Sequence, residues 1–201
     1  TASPANDTIT PLMALQAKLV IKSIHGERLV ALEDFYLGVR KSILQTNEMV
    51  TDIYFPALKD SQKGQFIKFA LRRAQAISLV NVAIICEMEK EIVQNANITL
   101  GAVAPTIIHA KEAEQFLIGK KLSEDVINET ALITQKATKP ITDVRGSASY
   151  RKTMVKVITK RALVSIAEGK RDNLLPKNPV LLDNHSIFPV LATPSYHSSK
   201  D

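Results

Sequence analysis

Apolar residues at Ile9, Leu12, Met13 and Leu15 follow the three-and-four spacing of one helix face. The stretch before them, ASPAND at 2–7, is turn chemistry, and Asn6 or Asp7 can cap the helix start. The period then changes. KLVIKSI at 18–24 predicts a strand, His25-Gly26-Glu27 its turn and residues 28–32 the hairpin partner. LEDFYLG at 32–38 suits a short helical turn closed by glycine. EMVTDIYF at 48–55 alternates as a strand that Pro56 ends.

DSQKG at 60–64 is polar and flexible, and is the best internal boundary in the chain. Residues 65–71 then read as extended. The run AISLVNVAIICE at 76–87 is apolar at nearly every position, as in a strand covered on both faces. A charged turn at 89–91 leads into a returning strand at 92–102, which Gly101 and Pro105 interrupt. The chain is expected to leave the sheet edge there and cover the sheet with three helices. The first spans 110–117, with Ala113, Phe116 and Leu117 inward and Gly119 as its stop. Ser123 caps the second, whose first turn holds Glu124 and Asp125 and whose stripe is Val126, Ile127, Ala131 and Ile133. The third runs from Ala148 to Glu168, with Tyr150, Met154, Val157, Ile158 and Leu163 on its buried face. From Gly169 onward prolines recur without a sustained period, predicting an extended tail that docks on a partner or stays partly mobile. The fold class is α+β.

Composition adds limits. A 45% hydrophobic chain of 201 residues can fill a core, and 5% aromatics with no Trp leave the packing to aliphatic side chains. The single cysteine, Cys86, lies in an apolar run and is expected to be a buried small hydrophobe in a reducing compartment. Apolar runs fall far short of the ~20 residues of a membrane span. No charged-then-apolar leader opens the sequence, so a cytoplasmic protein with no membrane partner is expected. The net charge of +6 does not argue for nucleic acid, because Lys and Arg are evenly spread and stacking aromatics are scarce. A phosphate-bearing cofactor or an acidic partner subunit fits the charge equally well.

Few residues suggest side-chain chemistry. His109 and Glu112 share a helix face, but no third ligand has a suitable spacing, so no metal is expected. No serine sits in an elbow-like turn and Cys86 is in a strand core, so no nucleophile is expected either. Tyr150 and Arg151 open a helix and predict an anchor, the ring packed and the guanidinium bonded across the helices. Arg145, before Gly146, is expected to tie a loop down.

Several longer phrases carry more. They are ASPAND (2–7), LMALQAKLVI (12–21), LEDFYLG (32–38), NEMVTDIYFP (47–56), LGAVAPTIIHAKEAEQFLIG (100–119) and PITDVRGSASYRKTMVKVITKRAL (140–163). In that order they resemble the flavin-binding medium subunit of the xanthine dehydrogenase and carbon monoxide dehydrogenase family, the molybdenum hydroxylases. The resemblance implies a two-part flavin domain followed by a domain with a three-stranded antiparallel sheet and a three-helix bundle. Residues 1–58 would then be the C-terminal part of the FAD-binding domain, 59–168 the C-terminal domain of the medium subunit, and 169–201 the tail. In such subunits two glycine-rich stretches, one of which cradles the pyrophosphate, precede the position of Thr1. The seven glycines here are scattered, so the chain is expected to lack the N-terminal part of the flavin domain.

The resemblance also implies site residues. Asp7 would contact the flavin nucleotide, Val50 would reach the cofactor through its backbone, and Lys68 would reach the flavin from the C-terminal domain. Relatives often carry an aspartate in a D-I/F-A phrase where this chain has Ala76-Ile77-Ser78, a departure expected to alter packing more than the cofactor site. The implied function is electron transfer. Substrate is oxidised at a molybdenum cofactor on a large subunit, and electrons cross 2Fe–2S clusters on a small one to FAD, then to NAD or another acceptor. No side chain of this chain need act as acid or base. The alternative is an assembly module that binds no flavin and docks on partner subunits.

Overall fold

In the computed structural model, which describes residues 2–72 and 75–169, the first half of the chain builds a small three-stranded sheet backed by short helices. The elements are α1 (Ile9–Ala14), β1 (Lys18–Ser23), β2 (Gly26–Ala31), α2 (Leu32–Phe35), β3 (Tyr36–Gly38), β4 (Lys41–Ser42) and β5 (Met49–Tyr54). Strand β1 is central, antiparallel to β2 on one side and β5 on the other. Leu19 and Ile21 of β1, with Val30 and Val50 beside them, pack against Ile9 and Met13 of α1 and Leu32 and Phe35 of α2. Only Leu32–Phe35 of the expected helical turn is helical. Tyr36 is already extended and begins the β3–β4 ribbon.

Helix α1 has six residues, too few to persist without tertiary packing. Its N-cap is Thr8, which makes no side-chain cap bond, so Asp7 is not the cap. Asn6 instead accepts from the Thr8 backbone N–H (2.9 Å) and hydroxyl (2.8 Å). The far end closes as a Schellman motif. The Ala17 N–H reaches the Leu12 carbonyl (3.0 Å) and the Gln16 N–H that of Met13 (2.9 Å), with Gln16 left-handed at φ 56°.

The second half contains β6 (Gln62–Phe69), β7 (Val80–Glu89), β8 (Ile92–Gly101), β9 (Ile108–His109), α3 (Lys111–Leu117), α4 (Glu124–Lys136) and α5 (Ala148–Ala167). The strands form one antiparallel sheet in that order. Part of the expected boundary at 60–64 is strand, because Gln62–Gly64 pair with Glu87–Ile85. The turn between β7 and β8 places Lys90 and Glu91 at φ 45° and 71°, the left-handed pair of a two-residue hairpin. The interruption after β8 does not release the chain directly into helices. Ala102 turns it at φ 64°, and the segment returns as β9, pairing Thr99 with His109 and Leu100 with Ile108.

Alternate residues of β7 serve opposite faces. Val80, Val82, Ile84 and Cys86 join Ile98 and Leu100 of β8 against α3, α4 and α5 in the main core, while Ala83 and Ile85 face Ala14 and Leu15 at the end of α1. Cys86 is fully covered, and burial pushes its thiol up to about 12. Ser123 caps α4 by accepting from the Val126 N–H (3.4 Å), and Gly119 follows α3 at φ 77°. Within α4, Ile127 and Ala131 are buried with Thr130 and Thr134, whereas Val126 and Ile133 are only partly covered. The Thr130 and Thr134 hydroxyls bond the carbonyls one turn back, which satisfies them inside the bundle.

Two helical faces differ from expectation. Phe116 is partly exposed, with the Lys120 ammonium 3.1 Å from its ring centroid. Helix α5 buries Arg151, Val155, Ile158, Thr159, Ala162, Leu163 and Ile166, while Tyr150 stays 44% exposed and Met154 and Val157 are intermediate. The helix is turned toward Arg151 because its guanidinium fills acceptors at the sheet end rather than bonding across the helices. It donates to the Leu79 carbonyl (2.7 Å), the Ala102 carbonyl (3.3 Å) and Asp143 (2.7 Å). The described residues form one compact unit. The expected tail lies outside the described residues except for Gly169. Among the described residues no helix is long and apolar enough to cross a membrane.

Candidate functional site

The face of the β6–β9 sheet that receives α1 carries a row of paired positions, Lys68 on β6, Asn81 on β7 and Gly101 on β8. A line of hydrogen bonds starts from this row. The Lys68 ammonium donates to Asp7 Oδ2 and to the Ala76 carbonyl (2.5 Å). Ser78 Oγ donates to Asp7 Oδ1 (2.5 Å) and accepts from Asn81 Nδ2 (3.0 Å). The Thr10 hydroxyl donates to Asn81 Oδ1 (2.7 Å), and the Thr99 hydroxyl to the Thr10 carbonyl (2.8 Å).

Burial is graded along this line. Thr10, Asn81 and Thr99 are 0% exposed and Ser78 is 1%, whereas the Asp7 and Lys68 side chains are 37% and 29% exposed. Buried polar groups need partners, and here each is satisfied by the next until the charged pair reaches solvent. Gly101 lets the row close. A Cβ there would stand 2.2 Å from Asn81 Oδ1 and 2.7 Å from the Thr10 hydroxyl.

A second arrangement orders the approach to β5. Arg28 grips Glu48 with two bonds of 2.8 and 2.9 Å, and the Gln45 N–H adds a third at 2.9 Å. The Arg28 bonds, then the Gln45 N–H, hold the Glu48 carboxyl down at about 2.

Two family patterns cover most of the chain. Residues 65–166 match the CO dehydrogenase flavoprotein C-terminal domain, and residues 1–58 match the FAD binding domain in molybdopterin dehydrogenase. The chain belongs to the medium-chain flavoproteins of the molybdenum hydroxylases. A similar relative is the glyceraldehyde dehydrogenase medium chain of Sulfolobus acidocaldarius, 33% identical over 166 residues, 83% of this chain and 58% of that one. Among solved structures, the carbon monoxide dehydrogenase from Hydrogenophaga pseudoflava that lacks the Mo-pyranopterin moiety superposes at TM-score 0.78. It is 28% identical, over 82% of this chain and 57% of that one. Quinoline 2-oxidoreductase from Pseudomonas putida 86 does so at 0.77 with 28% identity, over 84% and 58%. The flavoprotein chain thus spans a little over half the length of these relatives.

FAD is the cofactor of this family, and the flavoprotein residues can be tested against it. Asp7 keeps acceptor capacity beyond its two bonds, and Lys68 keeps one N–H beyond the two it uses. Strand β5 is the edge of its sheet, so the backbone N–H and C=O groups of alternate residues along Met49–Tyr54 point away from β1. Carboxylate, ammonium and strand-edge amides suit the polyol and ring heteroatoms of a flavin. They fit that part of the cofactor. No glycine-rich turn within residues 1–201 offers a pyrophosphate cradle.

Of the three residues implied by resemblance, the structure joins Asp7 and Lys68. Val50 sits elsewhere, opposite Ile21, with its side chain against the cluster of α1, β1 and α2. The sequence assigns no role to Thr10 or Asn81 and marks Ser78 only within the departure at 76–78, although an asparagine inside an otherwise apolar strand is a legible signal. The His109–Glu112 pairing does not form. His109 Nδ1 lies 2.7 Å from Glu114 Oε1, which also accepts from the Ile98 N–H. Arg145 does brace its loop, its N–H (2.8 Å) and guanidinium (3.1 Å) both on Asp143, and with Arg151 they hold that carboxyl below its usual range.

Proposed function

We propose that this chain holds FAD within a multi-subunit molybdenum hydroxylase, with Asp7, Lys68 and the backbone at Val50 as its contacts. The observation that carries the reading is the meeting of Asp7 and Lys68, 61 positions apart, at one half-exposed edge. When bound, the flavin supplies the redox chemistry, accepting electrons from one partner and passing them on. The chain's residues position it. Asp7 offers an acceptor, Lys68 a cation and a spare N–H, and Arg28 with Glu48 sets the entry to β5.

Residues 1–58 belong, in this reading, to the flavin domain and 59–168 to the C-terminal domain. The partners are a large subunit with the molybdenum cofactor and a small subunit with 2Fe–2S clusters. NAD or another acceptor takes the electrons, and the complex is cytoplasmic. The match of residues 1–58 to an FAD-binding domain does not favour a module that binds no flavin.

The test is an FAD titration of the purified native protein, stripped of flavin and followed by flavin fluorescence, beside Asp7→Asn and Lys68→Met. Stoichiometric binding, weakened about tenfold in each variant, is expected, tenfold being ~1.4 kcal/mol. Absence of binding, or equal affinity in all three, overturns the reading.

A further inference from the structure

We propose that Ser78 is a positioning residue of the flavin site, aiming the Asp7 carboxylate from beneath. The inference rests on the reading of Asp7 as a flavin contact and adds a residue to which the resemblance assigns no role in the cofactor site.

Proton directions along the hydrogen-bond line leave Ser78 one option. Thr10 has a hydroxyl proton to give, and Asn81 Oδ1 receives it at 2.7 Å. The amide of Asn81 must then turn its Nδ2 toward Ser78 Oγ at 3.0 Å, because the Asp7 carboxylate only accepts and takes the one proton the serine has. A serine hydroxyl carries a single proton. With its lone pairs receiving from Asn81, Ser78 directs that proton to Asp7 Oδ1 at 2.5 Å.

The carboxylate is thereby held at both oxygens. Ser78 supplies the donor on Oδ1 and Lys68 the donor on Oδ2, so the plane of the group is set. Lys68 is a flexible, partly exposed chain, while Ser78 is 1% exposed and seated on a buried side chain opposite Lys68 in the sheet. Rigidity in the pair therefore comes from the serine side. A hydrogen bond to an ionised acceptor is about twice as strong as one between neutral groups. Its loss frees the carboxylate to rotate and leaves Asn81 Nδ2 without its acceptor.

The experiment measures FAD affinity and flavin midpoint potential in the native protein for Ser78→Ala, Asp7→Asn and the double variant. Ser78→Ala should weaken FAD several-fold and shift the potential. Adding it to Asp7→Asn should change neither further, since the acceptor it aims is already altered. Ser78→Thr, which keeps the hydroxyl, should recover both. Loss in Asp7→Asn with none in Ser78→Ala overturns the positioning role alone. Full affinity in both variants overturns the flavin role of Asp7 and this inference with it. A lower melting temperature in Ser78→Ala with unchanged affinity and potential shows a structural role only, and overturns the proposal. Should Ser78→Ala fail to fold, Ser78→Cys fills the same space and replaces the hydroxyl with a weak donor. Undiminished affinity there is equally fatal.

Discussion

The Lys68 ammonium rests on the Asp7 carboxylate, joining the segment before α1 to strand β6 across 61 positions of chain. The two residues come from stretches matched by different family patterns, residues 1–58 and 65–166. The pair therefore reports on the docking of α1 against the larger sheet as well as on the site.

Lys68→Met separates those two roles. Both side chains are partly solvated, so the pair should contribute no more than ~1 kcal/mol to stability. Flavin affinity should fall about tenfold, a larger change than the denaturation midpoint registers. Parallel urea and FAD titrations would show this.

Acid stability should depend on Glu48. Its carboxyl is held at about 2, below the ordinary 4.5, by Arg28 and the Gln45 N–H. A depressed carboxylate contributes stability that is complete above its unfolded pKa and is lost as pH falls. The window is therefore about pH 4.5 down to 2. Melting curves across it should fall more steeply for the native chain than for Glu48→Gln, and parallel curves would refute the assignment.

Gly101→Ala should be costly. The new Cβ would enter at 2.2 Å from Asn81 Oδ1, and the neighbours are a fixed amide and a buried threonine. Overpacking of this kind costs about 1–3 kcal/mol. Chemical denaturation reads the loss, and a displaced Asn81 should lower FAD affinity with it.

Gln16→Gly should stabilise. Gln16 is exposed and occupies the left-handed position of the α1 Schellman motif, at φ 56°. Glycine meets no Cβ penalty there, and the expected gain is about 0.5–1 kcal/mol after its greater unfolded-state entropy. A melting temperature at or below that of the native chain would contradict it.

Arg151→Leu should be the most destabilising of these changes. It strips the Leu79 carbonyl and the Asp143 carboxylate of a buried donor. Leaving a buried acceptor without its donor costs about 1–3 kcal/mol, and the emptied seat of the guanidinium stem adds lost packing. Adding Asp143→Asn should cost less than it does alone, since the pair it would break is already gone.

Much of the architecture was readable as period and punctuation. The α4 cap at Ser123, the stop at Gly119 and the strands of the larger sheet follow from neighbours in sequence. Local pattern misleads where a distant partner competes. Asp7 looked like a helix cap until Lys68 and Ser78 claimed both of its oxygens. Tyr150 looked buried, but the sheet-end carbonyls drew Arg151 inward and turned α5 by about one residue. The break at Gly101 looked like an exit, yet the segment returns as β9.

Apolar spacing, caps and turn residues act over a few positions, and they established the α+β elements and their approximate limits in this chain. Which side chains meet was settled by register and packing. The pairing of Lys68 with Asn81 across β6 and β7, and the seat of α1 on that face, bring Thr10, Ser78 and Asp7 into one line. No local preference of any one of them encodes that meeting, because each bond exists only once the sheet and the helix have docked.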